Sequence, residues 1–319
     1  SSIALKKMFR MSNVINNKAA KVALLFSLFL IAIPIVVNGQ SYQAGQHIEP
    51  AFEGWRPNPD GSFNLMFGYM NENWQEEPFV PVGENNNFSP GEADRGQPTH
   101  FLPRRNRFTF EVTVPADWGD QELVWTLSVN GVERKAYATL RQDYLVDNMV
   151  IASETGSLGA GTSSPESRSN LPPVITLQGD SVRVGQVGSP IELEAHIWDD
   201  GLPNRRRETS NTSEELQRRM LRPPSRVTVG KVNGLYMSWN LYRGDGSLVI
   251  DPPLPKPWED TRASANSPWG PLWLPPEIPE DGIYKVTVTF DEPGSYVLWG
   301  RADDGGLYHD TYVTIHVSE

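Results

Sequence analysis

Apolar residues in this 319-residue chain recur at every second position, a period that admits strands and argues against amphipathic helices as the main elements. Phe63, Leu65, Phe67 and Tyr69 alternate with smaller or polar partners, after a Pro-Asp-Gly turn at 59–61. Phe108, Phe110, Val112 and Val114 repeat the pattern, and so do Leu123, Trp125, Leu127 and Val129. Asn130-Gly131 then predicts a tight hairpin into a strand around 132–140. Between 71 and 104 the chain is rich in Asn, Glu, Pro and Gly and reads as long loops. Further along, Ile191, Leu193, Ala195 and Ile197 face one way, with Glu192, Glu194, His196 and Trp198 on the other face. Leu235, Met237, Trp239 and Leu241 predict another strand, as do Tyr284, Val286, Val288 and Phe290. After a turn at Asp291-Glu292-Pro293-Gly294 come Tyr296, Leu298 and Gly300, and Val313, Ile315 and Val317 close the set. The expected fold class is all-β: two antiparallel immunoglobulin-like sandwiches preceded by a signal-peptide helix.

The expected organisation is a signal peptide at 1–39, an N-terminal β-sandwich over 40–151, a Gly/Ser/Pro linker over 152–173 and a second sandwich over 174–319. Lys6, Lys7, Arg10, Lys18 and Lys21 precede an uncharged 16-residue apolar run, 22–37, and Val37-Asn38-Gly39 suits cleavage before Gln40. The alternative is an uncleaved anchor, although the run is short for a membrane span. The whole chain has 28 basic and 39 acidic side chains, a net of −11. Five basic and no acidic ones lie in 1–39, which leaves 23 against 39, or −16, after export. So acidic a body argues against nucleic-acid partners. With no cysteine, an exported chain must be held by burial alone.

Three segments carry a resemblance: PPVITLQGDSVRVGQVGSPIELEAHIWDDGLPN, GLYMSWNLYRGDG and VTFDEPGSYVLWGRADDGGLYHDTYVTIHV. Together they resemble a PKD-type (polycystic-kidney-disease) Ig-like domain over about 172–319. That family has a Pro-rich lead-in, a strand ending in Asp-Asp-Gly, a Tyr/Ser-Trp strand, and a Phe-x-x-Pro-Gly-x-Tyr-Val run. The chain departs from it in two insertions, 205–231 and 251–281. The resemblance implies extracellular or periplasmic presentation, adhesion or spacing, without catalysis of its own. It does not extend to 40–150.

Three groups of residues are candidate sites. In an immunoglobulin topology the turns Asp199-Asp200-Gly201 and Asp303-Asp304-Gly305 lie at the same end, so their carboxylates, with Asp310, are candidate Ca²⁺ ligands. The bland alternative is that Asp-Gly pairs are good turn formers. Arg205, Arg206, Arg207, Arg218, Arg219 and Arg222 make the first insertion a basic island, either a docking surface for an acidic partner or internal neutralisation. The second insertion has nine prolines with Trp258, Trp269 and Trp273, which either stack on a sugar or protein or fold back over a sheet. Trp55 and Trp74 raise the same question.

The search for enzymes is mostly negative: there is no His-Glu-x-x-His, Gly-x-Ser-x-Gly, phosphate loop or dinucleotide fingerprint. Paired carboxylates such as Glu76-Glu77 would serve a glycosidase only with a partner brought near. The expected function is therefore an exported, non-catalytic binding or structural protein, acting in adhesion, envelope assembly or polysaccharide recognition. Its partner would be a protein or polysaccharide at the cell envelope, and a membrane only if 22–37 is retained. The alternatives are a secreted hydrolase with an accessory PKD-like domain, and a periplasmic subunit of a membrane complex.

Overall fold

The structure is a computed structural model that describes residues 42–154, 164–204, 234–253 and 276–319. The expected signal peptide lies outside them. In the first half, six strands form: β1 (Ile48–Pro57), β2 (Phe63–Asn71), β3 (Asn86–Ser89), β4 (Arg104–Val114), β5 (Leu123–Val129) and β6 (Val132–Ala138). They make two antiparallel sheets, ordered β1-β2-β4 and β3-β5-β6. Strand β5 illustrates the pattern: Leu123, Trp125, Leu127 and Val129 are buried, and the residues between them are half-buried. Trp125 fills the centre, stacked on Phe88 at 5.8 Å and meeting Phe110 edge-on at 5.0 Å. Its indole N–H donates to Asn86 Oδ1 at 3.0 Å, so the large ring is buried without an orphaned donor. The β5–β6 hairpin turns at Asn130 and Gly131, both with positive φ (51° and 77°), the conformation that makes Asn-Gly a hairpin signal.

The described residues of the second half form eight strands: β7 (Val174–Gln178), β8 (Val182–Gln186), β9 (Ile191–Trp198), β10 (Tyr236–Arg243), β11 (Leu248–Asp251), β12 (Ile283–Phe290), β13 (Gly294–Asp303) and β14 (Tyr308–Ser318). One sheet runs β11-β12-β9-β7 and the other β10-β13-β14-β8; the β14–β8 pair is parallel and all others are antiparallel. In immunoglobulin lettering this is D-E-B-A opposite C-F-G-A′. Trp239 on β10 is buried in the core between the sheets. Tyr296, near the start of β13, donates its hydroxyl to Glu292 O at 3.0 Å and stacks on Phe290 at 4.5 Å, making a tyrosine corner. The fold class read from the alternation is the observed one.

The described chain from Tyr42 onward is one compact unit, and its two sandwiches share buried residues. Tyr242 (β10) and Trp299 (β13) of the second sandwich are buried within the core cluster of the first. Thr99 and His100 N–H both donate to Tyr242 O, at 3.0 and 3.1 Å. Between the sandwiches a 3₁₀ turn (Gln142–Tyr144) leads into helix α1 (Asn148–Glu154). Val146, Ile151 and Ala152 from this segment pack with Met66 and Phe108 on one side and with Leu307 on the other. Burying each larger apolar side chain is worth about 1.5–3 kcal/mol, which makes the junction a core in its own right. Within the stretch expected to be a flexible spacer, helix α1 ends at 154 and helix α2 (Pro165–Ser169) follows, its N-terminus fixed by reciprocal Ser164 and Ser167 side-chain bonds.

Candidate binding cleft and the paired aspartate turns

Strands β13 and β14 point one face into their own core and the other at the first sandwich. On that second face Trp299 and Arg301 alternate along β13, and Tyr308, Asp310 and Tyr312 along β14. Register places Arg301 opposite Asp310, and the two form a bidentate pair with both bonds at 2.6 Å. The Arg301 side chain is fully buried, which a cation tolerates only when it is paired and hydrogen-bonded. Its guanidinium also lies 3.7 Å from the Tyr308 ring centre and 4.6 Å from that of Trp299. Nη2 reaches across the junction to donate to Phe108 O at 2.7 Å. Burial would lower its pKa, but the Asp310 charge and hydrogen bonds overcome this and hold it above the usual arginine value.

Beside this pair the two sandwiches enclose an open cleft of about 540 Å³. Arg56, Phe108, Phe110 and Glu111 line it from the first sandwich; Tyr242, Arg243, His309 and Tyr312 are among its residues from the second. The bulge in β4 shapes the first wall: Phe108 has φ 48°, and its ring stacks on Tyr308 at 6.3 Å. The charges on the walls are matched. Arg56 Nη2 donates to Glu111 Oε1 at 2.6 Å, and Glu111 Oε2 accepts from Asn64. Arg243 donates twice to Asp94, at 3.0 and 2.7 Å, and through Nε to Gln97 O at 2.8 Å. These bonds hold the Asp94 carboxyl below its ordinary pKa. His309 Nδ1 accepts from Ile175 N–H at 3.0 Å, which leaves Nε2 as the ring's N–H donor. The Tyr312 ring is 37% exposed and meets Tyr242 edge-on at 5.1 Å.

Both aspartate turns are hydrogen-bonded to the lead-in to β7. Asn170 Nδ2 donates to Asp304 Oδ2 at 3.1 Å, and Leu171 N–H donates to Asp200 Oδ2 at 2.9 Å. Each carboxylate also accepts from its own turn: Asp199 from Gly201 N–H, Asp200 from Leu202, Asp303 from Gly305, and Asp304 from Gly306 and Leu307. Gly201 (φ 81°) and Gly305 (φ 96°) supply the positive φ of these turns. Asp303 also accepts the Tyr236 hydroxyl at 3.1 Å. Burial pushes the Asp304 carboxyl up to about 8, against its backbone N–H bonds and with Asp303 adding to the rise. Among the described residues no three His, Asp or Glu side chains are grouped to hold a metal, while Asn170 Oδ1 and Asp199 Oδ1 are buried oxygens without a hydrogen-bond donor. Asp310, expected to join the turns, is instead committed to Arg301, because β14 register sets those two side by side.

Arg205, Arg206, Arg207, Arg218, Arg219 and Arg222, with Trp258, Trp269 and Trp273, lie outside the described residues. Trp55 is buried, its N–H donating to Arg141 O at 2.8 Å, and Trp74 lies against Arg104. The Glu76-Glu77 pair is divided: Glu76 accepts Gly45 N–H, and Glu77 pairs with His100 at 2.8 Å. The sequence pattern did not single out the cleft residues Tyr242, Tyr308 and Tyr312, nor Arg301 buried beside them. Their signal was an aromatic and charged set in the phase opposite to the core residues.

The strand orders define a tandem of immunoglobulin-like sandwiches. No protein-family model matches the chain, and no curated protein does. Among solved structures it is similar to the SrpA adhesin of Streptococcus sanguinis, at 17% identity over 46% of this chain and 57% of that one, with a TM-score of 0.21. It is also similar to a chimeric titin Z1Z2 carrying a decorin peptide (9% identity, 86% and 99% covered, TM-score 0.24) and to the D0-D1 domain of intimin (12%, 84% and 97%, 0.19). Likenesses this slight carry no argument about activity. Among the described residues no helix is long and apolar enough to cross a membrane.

Proposed function

We propose that this chain is an exported, non-catalytic binding and structural protein of the cell envelope, in which two sandwiches are locked together to hold a cleft of fixed shape. The observation that carries the reading is the shared core: Tyr242 and Trp299 of one sandwich sit within the other. A junction built this way resists the domain motion expected of a loosely linked pair. It suits presentation or recognition, with a protein or polysaccharide as partner. Export rests on the basic and apolar order of 1–39. The tyrosine corner and the two Asp-Asp-Gly turns support the PKD-type resemblance of the second sandwich. The hydrolase alternative would need a carboxylate free to move protons, whereas Glu111 and Asp310 at the cleft are each held by an arginine.

The test is fractionation of the native protein with N-terminal sequencing, followed by binding of the purified chain to isolated envelope material. The expected result is recovery outside the cytoplasm, a new N-terminus near Gln40, and saturable binding that Leu307→Asp at the junction abolishes. Cytosolic recovery, or turnover of ester or glycoside substrates, would overturn the proposal.

A further inference from the structure

We infer that the cleft between the sandwiches binds an uncharged carbohydrate; this names the ligand class for the binding reading above and rests on it. At about 540 Å³ the cleft is in the usual range for small-molecule sites and takes a short oligosaccharide segment rather than a folded partner. Its charge selects against ions. Arg56 is matched by Glu111, Arg243 by Asp94 and Arg301 by Asp310, at 2.6–3.0 Å. A phosphate, sulfate or carboxylate would meet arginines already neutralised and the like charges of Glu111 and Asp310 beside them, and a cation would have to displace an arginine. A purely apolar ligand would strand the same polar wall without partners.

What the cleft does offer is hydrogen bonding beside an aromatic face. Among the described residues Arg56 gives only Nη2 to Glu111, leaving Nε and Nη1 available as donors. The Nε2 proton of His309, fixed by the bond to Ile175 N–H, is another donor at the rim, and the Tyr312 hydroxyl is a third. The Tyr312 ring is partly exposed and is braced from behind by buried Tyr242, whose hydroxyl is itself tied to Gly96 O at 2.5 Å. A rigid ring with one wet face, next to planar paired side chains, complements a sugar. The C–H face of a pyranose packs on the ring while adjacent hydroxyls bridge to the polar wall. Both walls are needed, so the site exists only because the sandwiches are fixed against each other.

Isothermal titration of the full chain tests this with maltohexaose, cellohexaose, xylohexaose and chitopentaose, and with trigalacturonate and a heparin hexasaccharide as charged probes. At least one neutral oligosaccharide should bind saturably. Tyr312→Ala should weaken it about tenfold, as truncating an aromatic anchor does, with Tyr312→Phe retaining most of the affinity. Val249→Ala, on the exposed face of β11, should leave binding unchanged, and melting temperatures identify any variant that fails to fold. The inference falls if no neutral probe binds, if Tyr312→Ala binds as well as the parent, or if the charged probes bind more tightly. A chain that holds envelope material through Leu307-dependent contacts but ignores every neutral glycan loses the carbohydrate assignment alone. One that binds neither loses both.

Discussion

At the scale of single residues, Asp304 joins the lead-in of the second sandwich to its penultimate strand. Its Oδ1 accepts two turn N–H groups and its Oδ2 the Asn170 amide, all in a site that excludes water. Burial wins over those bonds and raises its pKa to about 8, so the folded protein holds a proton that the unfolded chain releases near pH 4. The stability linked to this group is therefore fully present below about pH 4 and is lost as pH rises to 8. In urea titrations with EDTA present, Asp304→Asn should flatten that decline, which is on the order of a few kcal/mol at most. The substitution keeps an acceptor for the turn and lets Asn170 present its unpartnered Oδ1 to the new amide. The Ca²⁺ read from the sequence is testable in the same titration. A bound cation would restore stability above pH 7 in the parent and not in the variant, while no change on adding Ca²⁺ leaves the turns as a protein-only clamp.

At the scale of elements, β1 and the segment after β6 meet through a single glycine. Gly54 has φ 128° at the bulge where β1 slips against β2, and a Cβ there would lie 2.1 Å from Val146 Cγ2 and 2.6 Å from Tyr144 O. Gly54→Ala should therefore push the 144–146 segment off the sheet, break the Val146 N–H to Trp55 O bond and destabilise the fold by about 2–4 kcal/mol, measured by urea denaturation. Early protease cleavage near residues 141–147 would mark the site. Central strands such as β5, β9 and β12 could be read from the sequence because one face is core and the other is not. Short edge strands β3, β7, β8 and β11 could not, since four or five residues give too little alternation to separate from a loop. Strand β10 was found but half understood. Met237, Trp239 and Leu241 face its own core, but Tyr236, Ser238 and Tyr242 are buried too, because a second layer covers that face. A tertiary contact of this kind leaves no period in one strand, which is why the cleft stayed hidden while the fold did not.

At the scale of the whole molecule, the junction decides whether two sandwiches behave as two domains or as one. Residues from both share a core, and Arg301 crosses between them to Phe108 O. Calorimetry should therefore give one cooperative transition for the described body. Arg301→Met removes the crossing cation and leaves Asp310 without its partner, a loss of about 3–5 kcal/mol for a buried pair. It should split the transition in two, and adding Asp310→Asn should recover part of the loss. A single unsplit transition in Arg301→Met would mean that apolar packing around Leu307 and Phe108 couples the halves without the pair.

The parallel pairing of β8 with β14, from Val182 opposite Thr314 to Gln186 opposite Ser318, sets how the second sandwich answers a pull. Tension drawing the front of β8 backward and the end of β14 forward slides the two along each other instead of peeling them apart. The bonds between them then carry the load in shear, as a group, whereas a hairpin opened from its end yields one bond at a time. A sandwich with this pairing is suited to hold against force drawn along β8 and β14.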